Sequence, residues 1–174
     1  MAAKQLYIVF LGTMLATQAT AEVSSANQSG FSLTTSVTVT TSPAETYAIL
    51  VQPNLWWDTT HSYSHKAQNL SINPVAGGCF CERLDDGGSV EHAHVVFASP
   101  GKVLRLRGAF GPLQGEGIDG GLTWELKPSG AGTEIRQTYA AGGYIPSGME
   151  KMAEMLDPIF TGQASHLKSY IDGR

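Results

Sequence analysis

Residues 133–140, TEIRQTYA, and residues 149–171, MEKMAEMLDPIFTGQASHLKSYI, decide the fold between them. The first alternates Ile135, Gln137 and Tyr139 with polar neighbours, the period of two that a half-buried strand requires. The second places Met149, Met152, Ala153, Leu156, Ile159, Phe160, Gln163, Leu167, Tyr170 and Ile171 on one face of a helix. Pro158 lies within it. A proline has no N–H to give to the preceding turn, so a kink or break is expected near Asp157.

Upstream of residue 133 the texture is strand and turn. Residues 31–40 are rich in β-branched side chains and read as a strand. Further strands are expected at about 67–73, 78–84, 89–98, 102–110, 119–127 and 133–140, separated by Asn73-Pro74, Asp85 to Gly88, Ser99 to Gly101, the glycine-rich 111–121 and Pro128 to Gly132. Ser42-Pro43-Ala44-Glu45 is a capping box with proline at the first helical position, predicting a short helix from Pro43 to about Val51. The segment from Pro53 to Lys66 carries Trp56, Trp57, His61, Tyr63 and His65 without a clean period. The expected architecture is α+β: a curved seven-stranded antiparallel sheet wrapped around a long C-terminal helix. Such a sheet cannot fill its own concave side, and incomplete closure against the helix leaves room for an apolar cavity.

Residues 1–21 carry Lys4, an apolar run over 6–15 and Ala19-Thr20-Ala21, the pattern of a cleaved signal peptide. The run is shorter than the roughly 20 residues that span a bilayer, so no stable membrane insertion is expected. Removing 21 of the 174 residues leaves 153, one domain by length. Residues 22–30, small and polar, read as a flexible leader to a domain over 31–174. The chain is then exported, to the periplasm or the medium. A net charge of −4 without a basic stripe makes nucleic acid a poor partner.

The order of elements and several local patterns resemble the SRPBCC superfamily, the helix-grip fold of START lipid-transfer domains, polyketide cyclases and homologues of the heat-shock ATPase activator. The matching stretches are Val37 to Leu50, Trp56-Trp57, Asn73-Pro74 leading to Gly77 through Glu82, Val95 to Pro100, Leu104 to Gln114, Leu122 to Leu126, Gly132-Thr133 and Gly142 to Tyr144. The resemblance implies a ligand cavity under the last helix, in a superfamily where most members bind and some catalyse.

Within the 78–95 hairpin, a turn at Asp86-Gly87 opposes residues whose numbers sum to 173. Cys81 then faces His92 and Cys79 faces His94, all on one side, a candidate Cys2His2 set for zinc or copper set against the plainer alternative of inert thiols beside ordinary histidines. A Cys79–Cys81 disulfide is disfavoured, because two residues of extended strand span up to about 6.6–7 Å. Glu82 faces Glu91 in this register; if the pair is buried one of the two takes up a proton, making Glu82 a candidate acid or base, whereas Arg105 or Arg107 would neutralise a solvated pair. Trp56, Trp57, Tyr63, Phe80, Glu82, Trp124, Tyr139, Met152, Leu156 and Phe160 are the candidate ligand contacts, each equally suited to core packing. There is no nucleophile elbow, zincin helix or phosphate loop in the sequence. The function these features favour is binding of a small apolar molecule with no obligatory cofactor. The alternatives are a cyclase- or dehydratase-like enzyme using a pocket Glu or His, and a protein-interaction module using apolar residues exposed in 109–117.

Overall fold

The computed structural model describes residues 21–174. The expected signal peptide lies outside these residues but for Ala21. Eight strands form one open antiparallel sheet: β1 (Ala21–Asn27), β2 (Gly30–Val39), β3 (Leu70–Ile72), β4 (Cys79–Arg83), β5 (Ser89–Ser99), β6 (Val103–Arg107), β7 (Gly117–Ser129) and β8 (Gly132–Tyr144). Their spatial order is β1-β2-β8-β7-β6-β5-β4-β3. Among the described residues two α-helices accompany the sheet, α1 (Pro43–Leu50) after β2 and α2 (Met149–Asp172) at the end, with short 3-10 turns across the segment between α1 and β3. This is the α+β helix-grip arrangement.

The capping box forms as its residues require: Ser42 Oγ accepts from the Glu45 N–H, and Glu45 Oε2 accepts from the Ser42 N–H at 3.1 Å. In α2 the apolar face from Met149 to Ile171 is buried while Met155 is exposed. Of the kink or break expected near Asp157, the break does not occur, and α2 is one continuous helix through Pro158. Pro158 removes one helix bond, but the flanking turns are held: from outside by the burial of Leu156 and Phe160 and by Gln137 Nε2 donating to the Phe160 carbonyl at 2.8 Å, and from within by Thr161 Oγ1 donating to the Asp157 carbonyl at 2.8 Å. Tertiary packing outweighs a loss of about 3 kcal/mol in helix propensity.

The leader expected at 22–30 is also corrected. Most of it is β1, an eighth strand paired antiparallel to β2 through Val23↔Leu33 and Asn27↔Gly30 and packed beside α2. Backbone pairing at a sheet edge needs no hydrophobic period, so a small, polar strand leaves little trace in the sequence. The core lies between the sheet and α2. Leu33, Val37, Val39, Leu122, Trp124, Leu126, Ile135 and Tyr139 point into it with strict alternation. Trp124 Nε1 donates to Gln137 Oε1 at 2.8 Å, which satisfies both polar groups inside the core.

Candidate functional site

The register of the β4–β5 hairpin sets the site. It begins as expected, with Cys79↔His94 and Phe80↔Ala93, then shifts so that Cys81 opposes Glu91 and Glu82 opposes Val90. His92 is the extra residue of a β-bulge. His92 and Ala93 are therefore both buried, although they are consecutive in a strand. Gly108 on the neighbouring chain segment makes room for this: a Cβ there would lie 2.6 Å from the His92 carbonyl oxygen and 2.7 Å from Ala93 Cα.

The shift dismantles the Cys2His2 set. Contrary to the expectation from an extended strand, Cys79 and Cys81 form a disulfide, their Cα atoms 5.4 Å apart, a shortening that the local twist of a bulge permits. His94 stays outside against Glu91, and His92 turns inward. Among the described residues no group of three or more His, Cys, Asp or Glu is placed to hold a metal ion. The facing Glu82–Glu91 pair is likewise not formed. Arg105 and Arg107 are engaged on the outer face, with Thr123 and Asp119.

Glu82 is instead fully buried with His92, whose Nε2 lies 2.9 Å from Glu82 Oε2. The aromatic segment supplies further donors: the Tyr63 N–H reaches Oε2 at 3.1 Å and the Ser64 N–H reaches Oε1. Burial by itself raises the Glu82 pKa, but hydrogen bonds from Ser64, Tyr63 and His92 outweigh it and hold the carboxyl below its ordinary value. Glu82 is thus ionised at neutral pH, the reverse of the protonated carboxyl expected for an acid. For His92, burial lowers the pKa more than Glu82 raises it, so the imidazole is neutral. A carboxylate only accepts, so Nε2 carries the hydrogen and Nδ1 keeps a lone pair.

His92 stands on the wall of a pocket of about 400 Å³ between the aromatic segment, the Phe110–Pro112 turn and α2. Of the ten candidate contacts, Trp57, Tyr63, Leu156 and Phe160 line it. Phe80 and Glu82 stand behind the wall, Phe80 with its ring centroid 5.0 Å from that of His92. Trp56, Trp124, Tyr139 and Met152 are buried in the core and do not line the pocket, although Tyr139 stacks on Phe160 and Trp56 packs on Trp57 from behind the wall. Sequence reasoning missed Thr60, Ser62, Phe110, Ile159 and Gln163 as wall residues, and found His92 only as a metal ligand. The aromatic density of 53–66 pointed to the right segment, and the α2 period carried Ile159 and Gln163. Of the apolar residues of 109–117, Phe110 and Leu113 are buried and Pro112 is exposed at the pocket, so the segment presents little apolar surface.

A sheet gripping a C-terminal helix, with a largely apolar pocket opening beside that helix, defines a class of small-molecule-binding domains. Residues 30–172 match the family described as polyketide cyclase / dehydrase and lipid transport, and the chain belongs to that family. Among solved structures it is similar in fold to a protein of Mesorhizobium loti, at 19% identity and a TM-score of 0.58, covering 82% of this chain and 97% of that one. CalU16 from Micromonospora echinospora aligns at 16% identity and a TM-score of 0.56, over 90% of this chain and 87% of that one. The Aha1 dimer from Colwellia psychrerythraea aligns at 18% identity and a TM-score of 0.57, over 81% and 96%. No curated protein matches the sequence significantly.

Proposed function

We propose that this protein is exported and holds a small, largely apolar molecule in the pocket beside α2. The observation that carries the reading is the pocket itself, about 400 Å³ walled chiefly by Trp57, Phe110, Leu156, Ile159 and Phe160. Such a volume and such walls suit a small organic ligand. The family description, which couples cyclase chemistry with lipid transport, supports it. Export is supported by the residue 1–21 pattern and by the Cys79–Cys81 disulfide, a bond that persists in oxidising compartments. Among the described residues no helix is long and apolar enough to cross a membrane.

The test is binding of N-phenyl-1-naphthylamine, read by its own fluorescence and by quenching of Trp57. Wild type is expected to bind about one equivalent, and Ile159→Trp to lose binding while keeping its melting temperature. No binding by wild type, with a lowered melting temperature for Ile159→Trp, means a filled core and sinks the reading. N-terminal sequencing that finds intact Met1 in a cytosolic fraction overturns export.

A second reading, a cyclase- or dehydratase-like enzyme, is favoured by one observation: the Glu82–His92 pair, with a neutral imidazole at the pocket wall. In that reading His92 is the general base and Glu82 orients it.

A further inference from the structure

Most polar side chains of the pocket wall are already committed. The Gln163 amide spans the Asp58 peptide, accepting from its N–H at 2.9 Å and donating to its carbonyl at 3.5 Å. The hydroxyls of Thr60 and Ser62 donate to Asp58 Oδ1 and the Thr59 carbonyl. Trp57 Nε1 donates to the His61 carbonyl and the Tyr63 hydroxyl to that of Gly111. His61 is exposed, at the mouth. His92 differs from all of these. Its side chain is only 7% exposed, Nε2 is taken by Glu82, and Nδ1 has no hydrogen-bond partner among the described residues.

We propose that the pocket selects apolar ligands that carry one hydroxyl or N–H donor, a phenol or an alcohol on an apolar body, and that His92 Nδ1 receives that hydrogen. The proposal rests on the reading that the pocket binds small apolar molecules. Its physical basis is an asymmetry. A ligand without a donor strips water from Nδ1 and leaves it unpaired, whereas a ligand with one replaces the water. Glu82 makes the preference directional, because it holds the hydrogen on Nε2 and so prevents the ring from presenting a donor to the pocket. The hydrogen bond to Glu82 and the Phe80 ring, 5.0 Å away centroid to centroid, favour this orientation of the imidazole.

The experiment compares 2-naphthol with 2-methoxynaphthalene, which share a ring system and differ in one donor, by calorimetry on the mature wild-type protein. The naphthol is expected to bind roughly ten- to a hundredfold more tightly. In protein with ¹⁵N-labelled histidine, the His92 Nδ1 resonance should move on adding 2-naphthol and stay in place with the methyl ether. His92→Phe should equalise the two affinities, and Ile159→Trp should weaken both. Equal binding of the two probes by wild type overturns the donor preference and leaves the pocket reading standing. Failure of both probes, together with N-phenyl-1-naphthylamine, overturns the pocket reading itself. A naphthol preference that survives Ile159→Trp places the ligand in the shallower groove that His92 also borders, over Glu91, His94 and Arg107, and overturns the proposal.

Discussion

Where β2, β8 and β7 meet, the ladder runs without a shift, from Gly30↔Gly142 to Val39↔Thr133 and from Gly117↔Tyr144 to Ser129↔Gly132, whereas β5 loses register against both its neighbours. Against β4 the skipped residue is His92; against β6 it is Val96. The consequences differ accordingly. Unbroken register keeps strict alternation, and that side of the molecule is a filled core of Trp124, Tyr139 and Leu122. A bulge adds one residue and re-aims the side chains beyond it, and here it brings a histidine to a buried carboxylate beside an open pocket. Pairing is also interrupted at Ser24 and at Val96, away from the pocket, so the identity of the skipped residue, and not the departure itself, is what arranges chemistry at His92.

The largest expected effect breaks the comparison on its solid side. Trp124→Ala should cost about 3–5 kcal/mol in urea unfolding, because it empties a closed core and strands Gln137. Ile159→Ala, on the pocket wall, should cost only about 1 kcal/mol, since it enlarges a space that is already open. Equal costs at the two positions would mean the pocket side is as tightly packed as the core.

Acid should act on the β5 side first. His92 binds its proton less readily folded than unfolded, so its contribution is complete above the unfolded value of 6.5 and is lost as pH falls below it. Glu82, also lowered, contributes fully above 4.5 and loses that contribution as pH falls through its folded value. The melting temperature is therefore expected to decline in two stages between about pH 7 and pH 3, with the upper stage absent in His92→Gln. A flat profile down to about pH 5 in wild type would show that His92 is not held neutral in the fold.

A smaller effect sharpens the account of the bulge. Cys79→Ser opens a ring closed over three residues, for which chain entropy suggests about 1–2 kcal/mol. N-phenyl-1-naphthylamine affinity should be kept, because the space that accommodates the bulge is supplied by Gly108. Affinity that falls further than stability would show that the disulfide itself sets the register. The smallest change belongs to His94→Ala. His94 and Glu91 are both exposed, and the substitution should stay within about 0.5 kcal/mol.

Much of the fold was legible. Ser42 to Glu45 encodes its helix start in side-chain chemistry that acts over three residues, and the alternation of Ile135, Gln137 and Tyr139 survives because β8 pairs without interruption on both edges. Pro158 does not break the helix because propensity is local, whereas the helix around it is held by Gln137 and by the buried Leu156 and Phe160. Of the site, the right residues were visible in the wrong partnership. Glu82 and His92 were each singled out, one against Glu91 and the other against Cys81.

By itself the sequence determined the class of fold, because periods of two and of 3.6 are consequences of backbone geometry that every residue repeats. It also determined the two layers and the presence of aromatic and apolar material between them. Only the tertiary structure decided which inward residues are wall and which are core, and that Glu82 meets His92. That pairing depends on one extra residue in β5, and a slip of one exchanges the faces of a strand. Its energy is settled by distant groups: Gly108 yielding space, and the Tyr63 and Ser64 amides arriving from the aromatic segment to hold the carboxylate. Contacts of that range leave no period for a sequence to display.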